Sequence, residues 1–211
     1  MMITSEILRG LYVITDPQLC QDKLIAQVEQ ALAGGARLVQ YRNKTASEQE
    51  KRQQAEQLRS VCKQHQRLFI VNDDVLLAKA VDADGVHIGQ QDAKIEQART
   101  LLGEDKIIGV SCNNRLDWAL SAQQQGADYV AFGRFFASHT KPDAPPADIQ
   151  LLQQAHQQLQ VPIVAIGGIT PHNARQLVAA GADMLAVINA VFAAPNILQA
   201  AQQFQKHFST G

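Results

Sequence analysis

The chain has 211 residues, of which 46% are hydrophobic, 18% charged and 5% aromatic, enough for one domain over residues 1–211 with a sizeable core and too apolar for disorder. Its 19 Lys and Arg against 20 Asp and Glu give a formal net charge of -1, with no basic excess to suggest a nucleic-acid footprint. Apolar stretches such as Val161–Ile169 are far too short to span a bilayer.

Met1–Leu11 shows no basic segment leading into an apolar core, so no secretory signal is expected. Short β-branched runs then alternate with helical stretches to the end of the chain. The expected strands are Leu11–Thr15, Arg37–Arg42, Leu68–Asn72, Gly85–Ile88, Ile107–Ser111, Tyr129–Phe132, Ile163–Ile166 and Met184–Val187. Each is nearly continuously apolar, as in a parallel sheet covered on its faces. Leu24, Val28, Ala31 and Leu32 make one helical stripe, and Ala55, Leu58, Val61 and Cys62 another. Strand then helix, eight times over, predicts an α/β fold closed as a single (β/α)₈ TIM barrel. An open doubly wound sheet is disfavoured, because no G-x-G-x-x-G follows the first strand.

An internal echo supports the barrel. Gly35-Ala36-Arg37, Gly126-Ala127-Asp128 and Gly181-Ala182-Asp183 each follow a helix and open a strand, with Ala83-Asp84-Gly85 a weaker copy. Glycine ends a helix in the left-handed conformation and alanine keeps the turn tight. These turns mark one end of the barrel, so function belongs at the other. The glutamines, as in Gln123-Gln124-Gln125, read as solvated helix surface. Cys20, Cys62 and Cys112 are scattered, with no C-x-x-C pair. That pattern argues against a disulfide scaffold or zinc site and fits a reducing cytoplasm.

The C-terminal strand ends carry the polar set that such a barrel uses for chemistry. They are Gln40-Tyr41-Arg42-Asn43-Lys44, Asn72-Asp73-Asp74, His87 to Asp92, Ser111, Gly133 to Asp143, Gly167-Gly168-Ile169-Thr170 and Ile188-Asn189. The Gly167-Gly168 turn, with a helix start after strand 8, suits a phosphate site; the alternative is a tight turn before a helix at Pro171. Asp73 and Asp92 follow neighbouring strands, so their carboxylates could share one Mg²⁺, or Asp92 could simply cap a helix over Ala93–Leu102. Arg42, Lys44 and Lys141 around the same mouth would complement a polyphosphate. His87 reads more readily as a satisfied barrel histidine than as a proton carrier, and Cys112 has no adjacent base to make it a nucleophile.

In their order along the chain these residues resemble the thiamine-phosphate synthase family. The matching elements are Gln40–Lys44, Val71–Asp74, Gly85–Asp92, Gly109–Ser111, Thr140-Lys141 and Ala165–Ile169. The resemblance implies a diphosphate-releasing transferase in thiamine biosynthesis that joins a hydroxymethylpyrimidine diphosphate to a thiazole phosphate. By carry-over, Gln40, Tyr41, Arg42, Asn43, Lys44 and Asn72 would hold the pyrimidine diphosphate, and Asp73 and Asp92 would bind Mg²⁺ as the cofactor. Ser111 and Lys141 would contact the pyrimidine substrate, with Lys141 near the leaving diphosphate. Ser138, His139 and Thr140 would line the thiazole side, and Gly168, Ile188 and Asn189 would bind the thiazole phosphate. Arg42, Lys44 and Lys141 would be the catalytic cations.

Three positions depart from the family pattern. Gly133-Arg134 stands where Gly-Pro is usual, Ser138 replaces the first of two threonines, and Asn189 replaces a serine. Alternative readings are a thiazole tautomerase of the same family, a phosphosugar isomerase using His87 with Asp73, and a non-catalytic phosphate-ligand binding barrel. Retention of Arg42, Lys44, Asn72, Asp73, Asp92 and Lys141 favours the synthase. Its partners would be small-molecule substrates, without nucleic acid or membrane.

Overall fold

The computed structural model describes residues 7–89, 94–137 and 145–208. Its parallel strands pair in chain order: β1 (Gly10–Ile14), β2 (Leu38–Tyr41), β3 (Leu68–Asn72), β4 (Gly85–Ile88), β5 (Ile107–Asn113), β6 (Tyr129–Phe132), β7 (Ile163–Ile166) and β8 (Met184–Val187). β8 pairs back onto β1, which closes the expected eight-stranded barrel. Around it lie α1 (Pro17–Cys20), α2 (Leu24–Ala33), α3 (Glu48–Gln64), α4 (Val75–Ala80), α5 (Ile95–Leu102), α6 (Leu116–Gln124), α7 (Ile149–Gln158), α8 (Ala174–Ala179), α9 (Asn189–Phe192) and α10 (Ile197–Gln205). Among the described residues no helix is long and apolar enough to cross a membrane.

The continuous apolar runs are explained by burial on both faces. On β1, Leu11 and Val13 pack outward against the helices, while Tyr12 and Ile14 point into the barrel. Leu38, Ile70, Ile107, Val164 and Met184 complete the inner plug, with Leu8 packed into it. The two stripes read from sequence are the buried faces of α2 and α3. α3 begins with a reciprocal cap, Glu50 N donating to Ser47 Oγ at 3.3 Å and Ser47 N to Glu50 Oε2 at 2.8 Å. α5 begins at Ile95 with Lys94 in the capping position, later than the expected start at Ala93; Asp92 and Ala93 lie outside the described residues.

The Ala-Asp repeats clip strand starts at the N-terminal end. Asp84 Oδ2 accepts the Phe69 N–H at 2.8 Å, Asp128 Oδ2 that of Ile108 at 2.7 Å, and Asp183 Oδ2 that of Ile163 at 2.8 Å. In each case the aspartate opening one strand satisfies the strand before it, so neighbouring units are tied in register. Asp84 is paired with Arg59 at 2.9 Å and Asp128 with Arg99 at 2.8 Å. Burial instead raises the Asp183 carboxyl above its ordinary value, offset in part by its backbone bond and by His156 and Arg9.

Gly109, on the inner face of β5, leaves the space that the Tyr129 ring occupies. A Cβ there would lie 1.9 Å from Tyr129 Cζ.

These contacts make three variants informative about stability. Gly109→Ala should destabilise the fold by about 1–3 kcal/mol through overpacking against Tyr129, read as a lower urea midpoint. Asp183→Asn keeps an acceptor for Ile163 but removes a charge whose raised pKa costs stability as pH climbs from the unfolded value through the folded one. Its melting temperature relative to the parent should therefore be higher at pH 7 than at pH 4. Asp128→Asn, which loses the Arg99 pair, should melt lower than the parent at pH 7.

Candidate active site

Above the apolar plug, the inward positions near the C-terminal strand ends turn polar. Gln40 on β2, His87 on β4 and Ser111 on β5 join Tyr12 and Tyr129 in one hydrogen-bonded run. Gln40 Nε2 donates to Tyr12 Oη at 2.7 Å, and the two phenol oxygens are 2.8 Å apart. Tyr129 Oη lies 2.9 Å from His87 Nδ1, and His87 Nε2 lies 2.8 Å from Ser111 Oγ. His87 is thus the satisfied barrel histidine expected from the sequence. Burial pushes both phenols above their ordinary range, so they are neutral hydroxyls.

This run floors a cavity of about 440 Å³ that opens at the C-terminal mouth. Of the residues expected to bind substrate, Gln40, Arg42, Asn72, Ser111, Gly168, Ile188 and Asn189 line it. Tyr12, Tyr129 and Asn113 carried no expectation, and Arg134 stood out only as a departure from the family pattern. Tyr12, Asn113 and Arg134 line the cavity, and Tyr129 supports its floor. A register shift between Ser111 and Asn113 leaves β5 irregular at the mouth, as bulges often do beside sites.

A recess of about 250 Å³ adjoins the cavity, sharing Asn72 and lined also by Tyr41, Asn43, Lys44 and Asp73. Asp73 has φ 63°, a conformation that Asp and Asn tolerate, and its Oδ2 lies 3.0 Å from Lys44 Nζ. The next residue, Asp74, caps α4 by accepting the Leu77 N–H at 2.8 Å. Asp73 therefore presents a half-buried carboxylate to the recess while its neighbour serves the helix. Tyr41 is turned outward: its ring is buried against the helices and its hydroxyl donates to Gln54 Oε1 at 2.8 Å. Asn43 Nδ2 donates to the same oxygen at 3.2 Å, and Asn43 Oδ1 accepts the Thr45 and Ala46 N–H groups. These two residues shape the loop from which Arg42 and Lys44 project.

Across the mouth, Gly167 and Gly168 have φ 100° and 62°, and both line the cavity. A Cβ on Gly167 would sit 2.3 Å from Arg134 Cβ, and one on Gly168 2.3 Å from Ala137 O. The tight-turn reading is therefore satisfied, and the turn also faces the cavity. The helix expected at Pro171 begins later, at Ala174. Asp92, Ser138, His139, Thr140 and Lys141 lie outside the described residues.

The donors at the β2–β3 rim suit a hard cation. Among the described residues no three His, Cys, Asp or Glu side chains gather as a metal cluster. One half-buried carboxylate beside two cations fits an ion that completes its shell with phosphate oxygens and water, which is how Mg²⁺ is commonly held. It does not fit the closed nitrogen and sulfur shell of structural zinc.

A family model described as thiamine monophosphate synthase matches residues 11–191. The thiamine-phosphate synthase of Alcanivorax borkumensis is 54% identical over 207 residues, covering 96% of this chain and 95% of that protein. That of Thioalkalivibrio sulfidiphilus is 52% identical over 195 residues, 92% of each. A solved thiamine phosphate pyrophosphorylase from Pyrococcus furiosus superposes with a TM-score of 0.89 at 37% identity, covering 97% of each chain.

The three cysteines are free and buried, and burial pushes their thiols up to about 11 at Cys20 and about 12 at Cys62 and Cys112. Cys112 is buried in the core between the barrel and its helices. An aromatic disulfide reagent at pH 8 should titrate none of them in the folded protein and all three in urea. Rapid reaction of one thiol in the native state would contradict this placement.

Proposed function

The chain belongs to the thiamine monophosphate synthase family, and we propose that it joins 4-amino-2-methyl-5-hydroxymethylpyrimidine diphosphate to 4-methyl-5-hydroxyethylthiazole phosphate, or its carboxylated form, giving thiamine phosphate and diphosphate. The observation that carries this reading is a cavity with its adjoining recess, with groups complementary to an anion on two sides. Arg42, Lys44 and Asn72 face one side, the Gly167–Gly168 turn with Ile188 and Asn189 faces the other, and a polar floor lies between. Two phosphorylated reactants can therefore meet over one centre.

In this reading Gln40 and Ser111 hold the pyrimidine ring, while Arg42, Lys44, Asn72 and Lys141 hold its diphosphate. Tyr41 and Asn43 serve the same substrate by fixing their loop through Gln54. Gly168, Ile188 and Asn189 bind the thiazole phosphate, and Ser138, His139 and Thr140 line the thiazole. Asp73 and Asp92 would hold Mg²⁺, which would supply further neutralisation of the diphosphate. The methylene C–O bond breaks with its electron pair leaving on diphosphate, and the electron-rich aminopyrimidine delocalises the cation left behind. The thiazole nitrogen lone pair then forms the new C–N bond. Arg42, Lys44 and Lys141 stabilise charge where it develops, and the two rims hold the reactants in line. Three free buried thiols fit a reducing, cytoplasmic setting.

A phosphosugar isomerase would need His87 and Asp73 as an acid/base pair. Both nitrogens of His87 bond to the barrel floor, and Asp73 pairs with Lys44, which disfavours that reading.

Diphosphate release should require both substrates and stop in EDTA, with thiamine phosphate as product. Asp73→Asn, compatible with the left-handed backbone there, should lower kcat/KM for the pyrimidine diphosphate at least tenfold, about 1.4 kcal/mol, at an unchanged melting temperature. Release without the thiazole phosphate would contradict the reaction, and full activity of Asp73→Asn would contradict the metal assignment.

A further inference from the structure

At the N-terminal end of the barrel, the register sets charged residues side by side just before the strands begin. Gly10 pairs with Met184, which puts Arg9 beside Asp183. Gly85 pairs with Ile107, which puts Asp84 beside Lys106. Leu38 pairs with Leu68, which puts Arg37 beside Arg67, and the Leu68 N–H donates to the Arg37 carbonyl at 3.2 Å. The first two neighbours carry opposite charges, whereas the third are like charges on strands about 4.8 Å apart. Like charges set opposite one another on paired strands repel. Among the described residues neither Arg37 nor Arg67 makes an ion pair, although Arg59 is held by Asp84 and Arg99 by Asp128. Arg67 Nη1 donates to the Gln66 carbonyl at 3.3 Å, a local bond that leaves its charge uncompensated. Burial and the charge of Arg37 together lower the Arg67 pKa from its ordinary value. Both stems are packed: Arg67 is half-buried, and Arg37 lies over Gly10, where an added Cβ would sit 2.9 Å from Arg37 Cγ.

We infer that Arg37 and Arg67 form a clamp for a phosphate dianion at the end of the barrel opposite the active cavity. Two neighbouring guanidinium groups bring two positive charges, and a terminal phosphate carries about -1.5 to -2 at pH 7. Its tetrahedral oxygens accept forked N–H pairs from both sides, the geometry in which arginine binds phosphate best. A carboxylate would neutralise one guanidinium and leave the other facing a like charge. The ligand class is therefore a small dianionic phosphate, either the free ion or a phosphomonoester. Binding replaces a repulsion by two attractions, so occupancy stabilises the folded chain. Neither arginine lines the cavity or its adjoining recess, so the clamp is additional to the substrate rims and independent of the synthase reading.

The test is an NMR titration of the full chain labelled in arginine, read at the side-chain Nε–Hε signals with ionic strength held constant by KCl. The Arg67 signal is assigned by its absence from Arg67→Gln, or from Arg67→Lys if the first variant fails to fold. It should move and saturate as inorganic phosphate is added, and Arg37→Gln should weaken that binding about tenfold or more. A parallel titration with glycerol phosphate shows whether the free ion or a phosphomonoester is preferred, and saturation by either supports the clamp. In chloride alone Arg37→Gln should melt above the unaltered protein, since glutamine keeps the stem over Gly10 and removes the like charge. An Arg67 signal that responds to neither phosphate would overturn the inference, as would an unchanged affinity in Arg37→Gln. A lower melting temperature of Arg37→Gln in chloride would also overturn it, because Arg37 would then be a structural residue. The Arg67 signal reports on the barrel end away from the cavity, so these results are scored separately from the diphosphate assay.

Discussion

Five polar side chains meet inside the barrel, and the rest of the site depends on their mutual satisfaction. Gln40, Tyr12, Tyr129, His87 and Ser111 stand on five strands, β2, β1, β6, β4 and β5. A buried polar group left without a partner costs about 1–3 kcal/mol, so they are stable at that depth only as a connected set. The set lies between the open cavity and an apolar plug that includes Leu8, Leu38, Ile70, Ile107 and Met184. Gly109 is part of the same constraint, because the Tyr129 ring that links the set fills its missing side-chain space. Where the polar floor lies decides how deep a substrate ring sits and which rim its charged tail reaches.

Stability and chemistry are divided between the barrel ends. At the N-terminal end, aspartates opening β4, β6 and β8 clip the first N–H groups of the strands before them, and these clips need no ligand. At the C-terminal end, polar side chains line the cavity and the adjoining recess. The β2–β3 rim combines cations with an acidic group, and the β7–β8 rim has glycines forced by close packing against the segment after β6. The Gly167–Gly168 turn therefore has a packing reason independent of any ligand. Its placement on the cavity, rather than its glycine content, is what supports the proposed phosphate site.

Much of the architecture was legible because a doubly covered parallel strand has a plain signature. β3, β4, β6, β7 and β8 match their expected bounds, and β1 and β2 differ by a residue at each end. The reason is that short apolar runs bounded by turns leave little room for other registers. The rim residues were legible too, since polar groups at the ends of such runs stand out. The floor was not. Tyr12 and Tyr129 sit within apolar strands, and with both faces buried no alternation shows which side chains point inward. They are 117 positions apart, and only closure of the barrel brings their hydroxyls to 2.8 Å. Tyr41 lies between Gln40 and Arg42, and the strand's period of two turns its ring to the helices, where Gln54 holds its hydroxyl. The departure at Arg134 is now placed, lining the cavity beside Gly167.

The most direct test of this arrangement is a crystal structure of the protein with thiamine phosphate and diphosphate bound together with Mg²⁺. The expected complex has the product phosphate at Gly168 and the Ile188–Asn189 backbone, the pyrimidine over Gln40 and Ser111, and diphosphate at Arg42, Lys44 and Asn72. A product bound the other way round, with its phosphate at Arg42 and its pyrimidine against the β7–β8 turn, would contradict it.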